Sequence, residues 1–134
     1  MFCRIIGGAV PADVVLDDPA VVAILDHRPL FPGHVLVMPR DHHEALTDLP
    51  VELVEPLFST VRRVAGVVEA EMGAGGTFVA MNNRVSQSVP HLHVHVVPRT
   101  RGDGLRGFFW PRTPYDGPAH AAEVAARLRS ALAG

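Results

Sequence analysis

The chain has 134 residues, 48% of them hydrophobic, and a formal net charge of −2. That length suits one domain with a core that needs no staples. The near-neutral balance speaks against a nucleic-acid binder and against a basic membrane-surface protein. The single cysteine, Cys3, cannot form an internal disulfide, which favours a reducing, cytoplasmic setting. The N-terminal stretch lacks the apolar region of a signal peptide, and no apolar run approaches the ~20 residues of a membrane span. All twelve basic residues are arginine, a bias that GC-rich coding explains together with the abundant Ala, Gly, Pro and Val.

In chain order, Val14-Val15-Leu16 before Asp17-Asp18-Pro19 predicts a short strand ending in a turn. Residues 21–25 predict a second strand. After Pro32-Gly33, residues 34–38 predict a third, stopped by Pro39, and the three should form an antiparallel meander. Asp48 is the expected N-cap of a long helix, with Pro50 in its first turn. Leu53, Leu57, Val61, Val64, Val68 and Met72 form its apolar stripe, Pro56 should bend it, and the glycine-rich residues 73–76 end it. Residues 77–81 predict a fourth strand, 82–90 a loop, 102–107 a second loop, and 119–133 a terminal helix. Three strands, a helix, two strands and a tail make an α+β fold on an antiparallel sheet.

The fifth strand carries the chemistry. His91-Leu92-His93-Val94-His95-Val96-Val97-Pro98-Arg99 alternates imidazole with aliphatic side chains at the period of a β-strand. Extended, it projects three imidazoles from one face, neighbours ~6.5 Å apart, and buries Leu92, Val94 and Val96 on the other. Pro98 should close it. Imidazole is a common ligand for zinc, but three on a nearly straight strand share one ion with difficulty, and no carboxylate or thiolate lies beside them. His42-His43-Glu44 can be borrowed, although nothing in the spacing demands it. Nucleophilic catalysis fits better. Clustered imidazoles disfavour one another's protonation, which keeps one nucleophilic near pH 7 while another donates to a developing oxyanion. Attack on phosphorus suits such a set.

These residues, with Phe2-Cys3-Arg4-Ile5-Ile6, Asp17-Asp18, Leu25-Asp26, Pro32-Gly33-His34, Met38-Pro39-Arg40-Asp41-His42, Leu46-Thr47-Asp48-Leu49 and Gln87-Ser88-Val89-Pro90, resemble the histidine triad (HIT) family in order and spacing over about residues 2–99. The resemblance implies a single HIT-like domain over 1–134 with a divergent tail from 100. It implies a five-stranded antiparallel sheet that joins its copy's sheet in a homodimer, and cleavage of a nucleotide substrate at its α-phosphorus. By the same resemblance His93 is the nucleophile that becomes nucleotidylated, His95 the donor to the phosphate or leaving-group oxygen, and His91 the residue that orients the cluster. Gln87 and Ser88 then match contacts to phosphate and leaving group, Asp26 the acceptor for ribose hydroxyls, and Phe2, Ile5 and Ile24 an apolar slot for the base. Asn82 or Asn83 supplies a polar contact near phosphate, and His34 matches a structural histidine.

Three departures stand out. Ser86 replaces the family's glycine before Gln87, and the loop from Asn82 is about two residues short. Some members hold structural zinc with an N-terminal Cys-x-x-Cys and two histidines; here only Cys3 remains beside His42 and His91, so no such zinc is expected. No other cofactor is expected, beyond Mg²⁺ accompanying substrate phosphates. In the tail, Arg99, Arg101, Arg106 and Arg112 among Gly102, Gly104 and Gly107, before Phe108-Phe109-Trp110-Pro111, present charge suited to distal phosphates of a dinucleoside polyphosphate, or simply a solvated loop. Within the family the alternative is a nucleoside phosphoramidate hydrolase; outside enzymes it is a nucleotide-binding regulator with weak catalysis.

Overall fold

The computed structural model describes residues 1–105 and 112–134. Two compact units emerge, Met1–Asp103 and Gly104–Gly134. In the first, β1 (Val14–Asp17), β2 (Val21–Leu25), β3 (Val35–Pro39), β4 (Gly76–Ala80) and β5 (Val94–Arg99) form one sheet in the order β1-β2-β3-β5-β4. Every pairing is antiparallel, and β1 to β3 form the expected meander. The α+β class and the five-stranded antiparallel sheet expected from the sequence are both present.

The sheet has two buried faces. Helix α2 (Val51–Glu71) packs on one, where Leu57, Val61, Val64 and Val68 meet Val21, Ala23, Val35, Val37, Leu92, Val94 and Val96. Leu57 is fully buried, and removing such a side chain from water contributes about 1.5–3 kcal/mol. On the other face Val22, Ile24, Leu36 and Met38 meet Phe2 of a short helix, α1 (Phe2–Ile6). Alternation along β2, β3 and β5 assigns odd and even positions to opposite faces, so one strand serves both the core and the second face.

Helix α2 begins later than expected. Pro50, with φ −58° and ψ 143°, takes the N-cap position, and Asp48 closes a 3₁₀ turn (Leu46–Asp48). The Asp48 carboxylate is drawn away from capping by Arg84, whose Nη2 donates to both oxygens at 3.1 and 2.9 Å. At the other end Ala74 N–H bonds Glu69 C=O and Gly73 N–H bonds Ala70 C=O, with Gly73 at φ +62°. That is the Schellman arrangement, and a left-handed residue there calls for glycine. Gly33, at φ +96°, serves a tighter purpose: a Cβ on it would stand 2.7 Å from Met72 Cγ.

The fifth strand is shorter than its histidine pattern suggests. β5 starts at Val94, and His91, Leu92 and His93 precede it. Its pairing with β3 runs only from Val35↔Val96 to Val37↔Val94. Pro39, at the end of β3, has no N–H, and its carbonyl accepts the His91 side chain at 2.8 Å. Leu92 N–H turns instead to His43 C=O at 2.7 Å. Pro98 does not close the strand either; it pairs with Thr77 of β4, at a level where β3 has not yet begun.

The second unit carries α3 (Pro118–Ala133), opened by Pro118 at its first position, with none of its residues buried. No helix among the described residues is long and apolar enough to cross a membrane. Arg106, Gly107, Phe108, Phe109, Trp110 and Pro111, part of the expected basic and aromatic loop, lie outside the described residues. Arg99 is engaged by Asp103, with Nε to Oδ2 at 2.7 Å and Nη2 to Oδ1 at 3.1 Å.

Candidate active site

A cavity of about 780 Å³ opens on the sheet face opposite α2. Phe2, Ile5, Ile24, Asp26, Ser88, His93 and His95 all line it. Gln87, Asn82, Asn83 and His91 do not. The amide of Gln87 donates to Glu44 C=O at 2.6 Å and accepts Arg84 N–H at 2.7 Å. Asn83 Oδ1 accepts Leu46 N–H at 2.7 Å, and Asn82 Nδ2 donates to Ser86 C=O at 3.1 Å. These three amides brace the loop between β4 and the histidine segment. Within it Arg84 and Ser86 sit at φ +69° and +59°, a region costing a non-glycine residue about 1–2 kcal/mol. Ser86 thus shows why glycine suits that position.

His91 is 1% exposed and stands behind the cavity. Its Nε2–H donates to Pro39 C=O, and its own carbonyl accepts His93 Nδ1–H at 2.8 Å. That second bond fixes the His93 tautomer, since a ring donating from Nδ1 in its neutral form keeps its lone pair on Nε2. Phe2 meets the His93 ring edge-on at 5.0 Å between centroids and 80° between planes, which holds the ring's orientation.

A longer chain of bonds fixes His95. Leu30 N–H donates to His34 Nδ1 at 3.1 Å, so neutral His34 carries its proton on Nε2. His34 Nε2 lies 3.0 Å from His95 Nδ1 and 3.6 Å from Asp26 Oδ2. His95 therefore accepts at Nδ1 and carries its own proton on Nε2. The rings of His93 and His95 are 5.0 Å apart. One cavity wall thus presents a lone pair from His93 and an N–H from His95. His34, 3% exposed and 61 residues from His95 in sequence, matches the structural role that the resemblance implies by holding the His95 ring. Its only local sign is the Pro32-Gly33 turn that delivers it.

Burial, then the neighbouring His93 and His34 rings, lowers the His95 pKa to about 4, with Asp26 opposing. His34 is lowered chiefly by burial, against the pull of Asp26. His91 is lowered chiefly by burial, with the Pro39 carbonyl opposing and His42, His93 and His43 adding to the fall. The imidazoles do disfavour one another's charge, but desolvation is the larger cause. Asp26 is itself steadied, since Oδ1 accepts Arg28 N–H at 2.9 Å. Oδ2 faces His34 Nε2 at 3.6 Å, beyond hydrogen-bond length.

Metal donors also meet. Cys3 Sγ lies 3.3 Å from His42 Nδ1 and 3.5 Å from His91 Nδ1. His91 Nε2–H on a backbone carbonyl is the usual outer bond of a metal-ligating histidine. Soft sulfur with two imidazoles fits a zinc ion with three protein ligands, and Ile6, three residues after Cys3, supplies no fourth. An ion held there would tie α1 to the histidine segment. Those donors stand outside the cavity lining. Asp26, His34 and His95 also lie within 4.8 Å of one another, but the proton between His34 and His95 makes them a hydrogen-bonded chain.

The HIT domain model matches residues 8–102. The crystal structure of a HIT-family protein from Bacillus subtilis is similar at a TM-score of 0.86 and 32% identity, covering 97% of this chain and 94% of that one. The bis(5'-nucleosyl)-tetraphosphatase (asymmetrical) of Schizosaccharomyces pombe is 37% identical over 83 residues, 60% of this chain and 46% of that protein. An adenylylsulfatase of Arabidopsis thaliana is 31% identical over 107 residues, 78% of this chain and 54% of its own. The chain belongs to the HIT family, a family of nucleotide-binding proteins that includes hydrolases.

Proposed function

We propose that this protein hydrolyses a nucleoside phosphate derivative at its α-phosphorus, with a dinucleoside polyphosphate as the preferred substrate class. The carrying observation is the pair of fixed tautomers in one cavity: a lone pair on His93 Nε2 beside a proton on His95 Nε2. His93 Nε2 forms a bond to the α-phosphorus as the bond from that phosphorus to the leaving-group oxygen breaks. The electron pair departs on that oxygen, stabilised by His95 N–H. Water then forms a new P–O bond, the P–N bond breaks, and the lone pair returns to His93; the water's second proton leaves to solvent. Asp26 accepts the ribose hydroxyls, Phe2, Ile5 and Ile24 hold the base, and Ser88 contacts phosphate.

The leaving group decides between phosphoanhydride and phosphoramidate. A polyphosphate departs as an anion and needs only a hydrogen bond, whereas an amine must be protonated to leave. His95, neutral at pH 7 with its pKa near 4, supplies the bond and holds no spare proton. The similarity to a tetraphosphatase supports the same choice. Turnover of dinucleoside tetraphosphates and nucleoside phosphoramidates, each with adenine and with guanine as the base, by purified protein with and without chelator, tests it. Preference for the phosphoramidate would reverse the substrate assignment, and no turnover of either would favour a nucleotide-binding regulator.

The proposed working unit is a homodimer. β4 is an edge strand, its Val79 43% exposed, and pairing with a copy would cover that edge.

A further inference from the structure

The cavity extends past the residues that hold phosphate and ribose. His95, Leu36, Ile24 and Val14 are successive register partners across β5, β3, β2 and β1. At about 4.8 Å per strand the row spans about 14 Å, long enough to seat an extended nucleoside monophosphate. Asp13 stands at the far end. It precedes Val14, its carbonyl accepts Leu25 N–H at 2.9 Å, and it lines the cavity. Arg28, two residues beyond Asp26, lines the same cavity. Neither side chain has a hydrogen-bond or ion-pair partner among the described residues. The surfaces between, Phe2, Ile5, Ile24, Leu36 and Val89, are apolar and can grip any purine face without telling one base from another.

We infer that Asp13 and Arg28 read the edge of the base and make this site selective for guanine nucleotides. A carboxylate only accepts hydrogen bonds and a guanidinium only donates them. Guanine alone among the common bases offers two adjacent donors, N1–H and the 2-amino group, to a carboxylate, and keeps O6 and N7 as acceptors for an arginine. Adenine would set its N1 lone pair against Asp13. The inference rests on the nucleotide reading of the cavity and narrows it to one base.

Calorimetric titration of the full chain with GMP, IMP and AMP tests both levels. IMP keeps N1–H and O6 but lacks the 2-amino group, so affinity should fall in the order GMP, IMP, AMP. The first and last should differ roughly tenfold or more, since an unmet polar group in a binding site costs at least that factor. Asp13→Ala preserves the backbone bond to Leu25 and should close the gap between GMP and AMP; Arg28→Ala should narrow it. Equal affinity for GMP and AMP, or a GMP preference untouched by Asp13→Ala, would overturn the assignment while leaving the nucleotide site standing. Binding of none of the three would remove the nucleotide reading itself, and the base assignment with it.

Discussion

Replacing His34 by Phe keeps a planar ring of similar size and removes both nitrogens. Two polar groups then lose partners: Leu30 N–H, which donates to Nδ1, and His95 Nδ1, which accepts from Nε2. Each buried orphan costs about 1–3 kcal/mol, and both bonds are only part-buried, so stability should fall by about 2–4 kcal/mol. The catalytic loss is bounded from two sides. Free choice of tautomer at His95 costs only a severalfold drop, whereas losing an oxyanion donor altogether costs about 10²–10³ in rate. An intermediate loss of about ten- to hundredfold in kcat is expected, with KM nearly unchanged because His34 does not line the cavity. His34→Gln places an amide N–H within reach of His95 and should recover most of the rate. Steady-state hydrolysis of diguanosine tetraphosphate gives kcat and KM, and imidazole ¹⁵N shifts report the His95 tautomer directly. A Phe variant with wild-type kcat and unchanged His95 shifts would refute the positioning chain.

His93→Ala should abolish turnover and the acid-labile nucleotidyl adduct that quenched wild-type protein shows by mass spectrometry; near wild-type turnover would sink the nucleophile assignment. Stability should fall as pH drops from 6.5 to about 4, because the unfolded chain protonates His95 at its ordinary value while the folded one resists to about 4. Solvent screening of the partly buried ring keeps the loss at or below about 3 kcal/mol, with His34 and His91 acting in the same direction, and urea midpoints unchanged between pH 7.5 and 4.5 would contradict it. Chelator should leave kcat within about twofold while zinc raises the Tm of wild type but not of Cys3→Ser; turnover lost to chelator and restored only by zinc would make the metal catalytic. Light scattering should give about twice 14.4 kDa at micromolar protein, and a fully active monomer would exclude the dimer.

Periodicity made the sheet and α2 legible, since Leu57, Val61, Val64 and Val68 each bury where the stripe places them. It did not reveal α1, whose five residues are too few to show a helical period. The onset of β5 is not legible in sequence, because alternation continues through His91 and Leu92 beyond the end of the ladder, where the Pro39–His91 bond takes over. In the site, residue types announced His93 and His95, but amide direction is not written in sequence. Gln87, Asn82 and Asn83 therefore gave no sign that the loop itself engages them. Asp48 likewise carried the mark of a cap, and its partner Arg84 lies 36 residues away.

The cavity's walls are of unequal stiffness. His95 shares β5 with Val94 and Val96, which are fully buried beneath α2. That wall can loosen only when the whole sheet does. The facing wall is α1, a single short turn of helix with one buried residue, Phe2, well below the length at which a helix sustains itself. Amide protons of the two walls should accordingly exchange on different clocks, those of β5 near the global unfolding rate and those of α1 through local fraying. A ligand would then enter and leave by lifting the α1 side, while the ring nitrogens of His93 and His95 keep their aim.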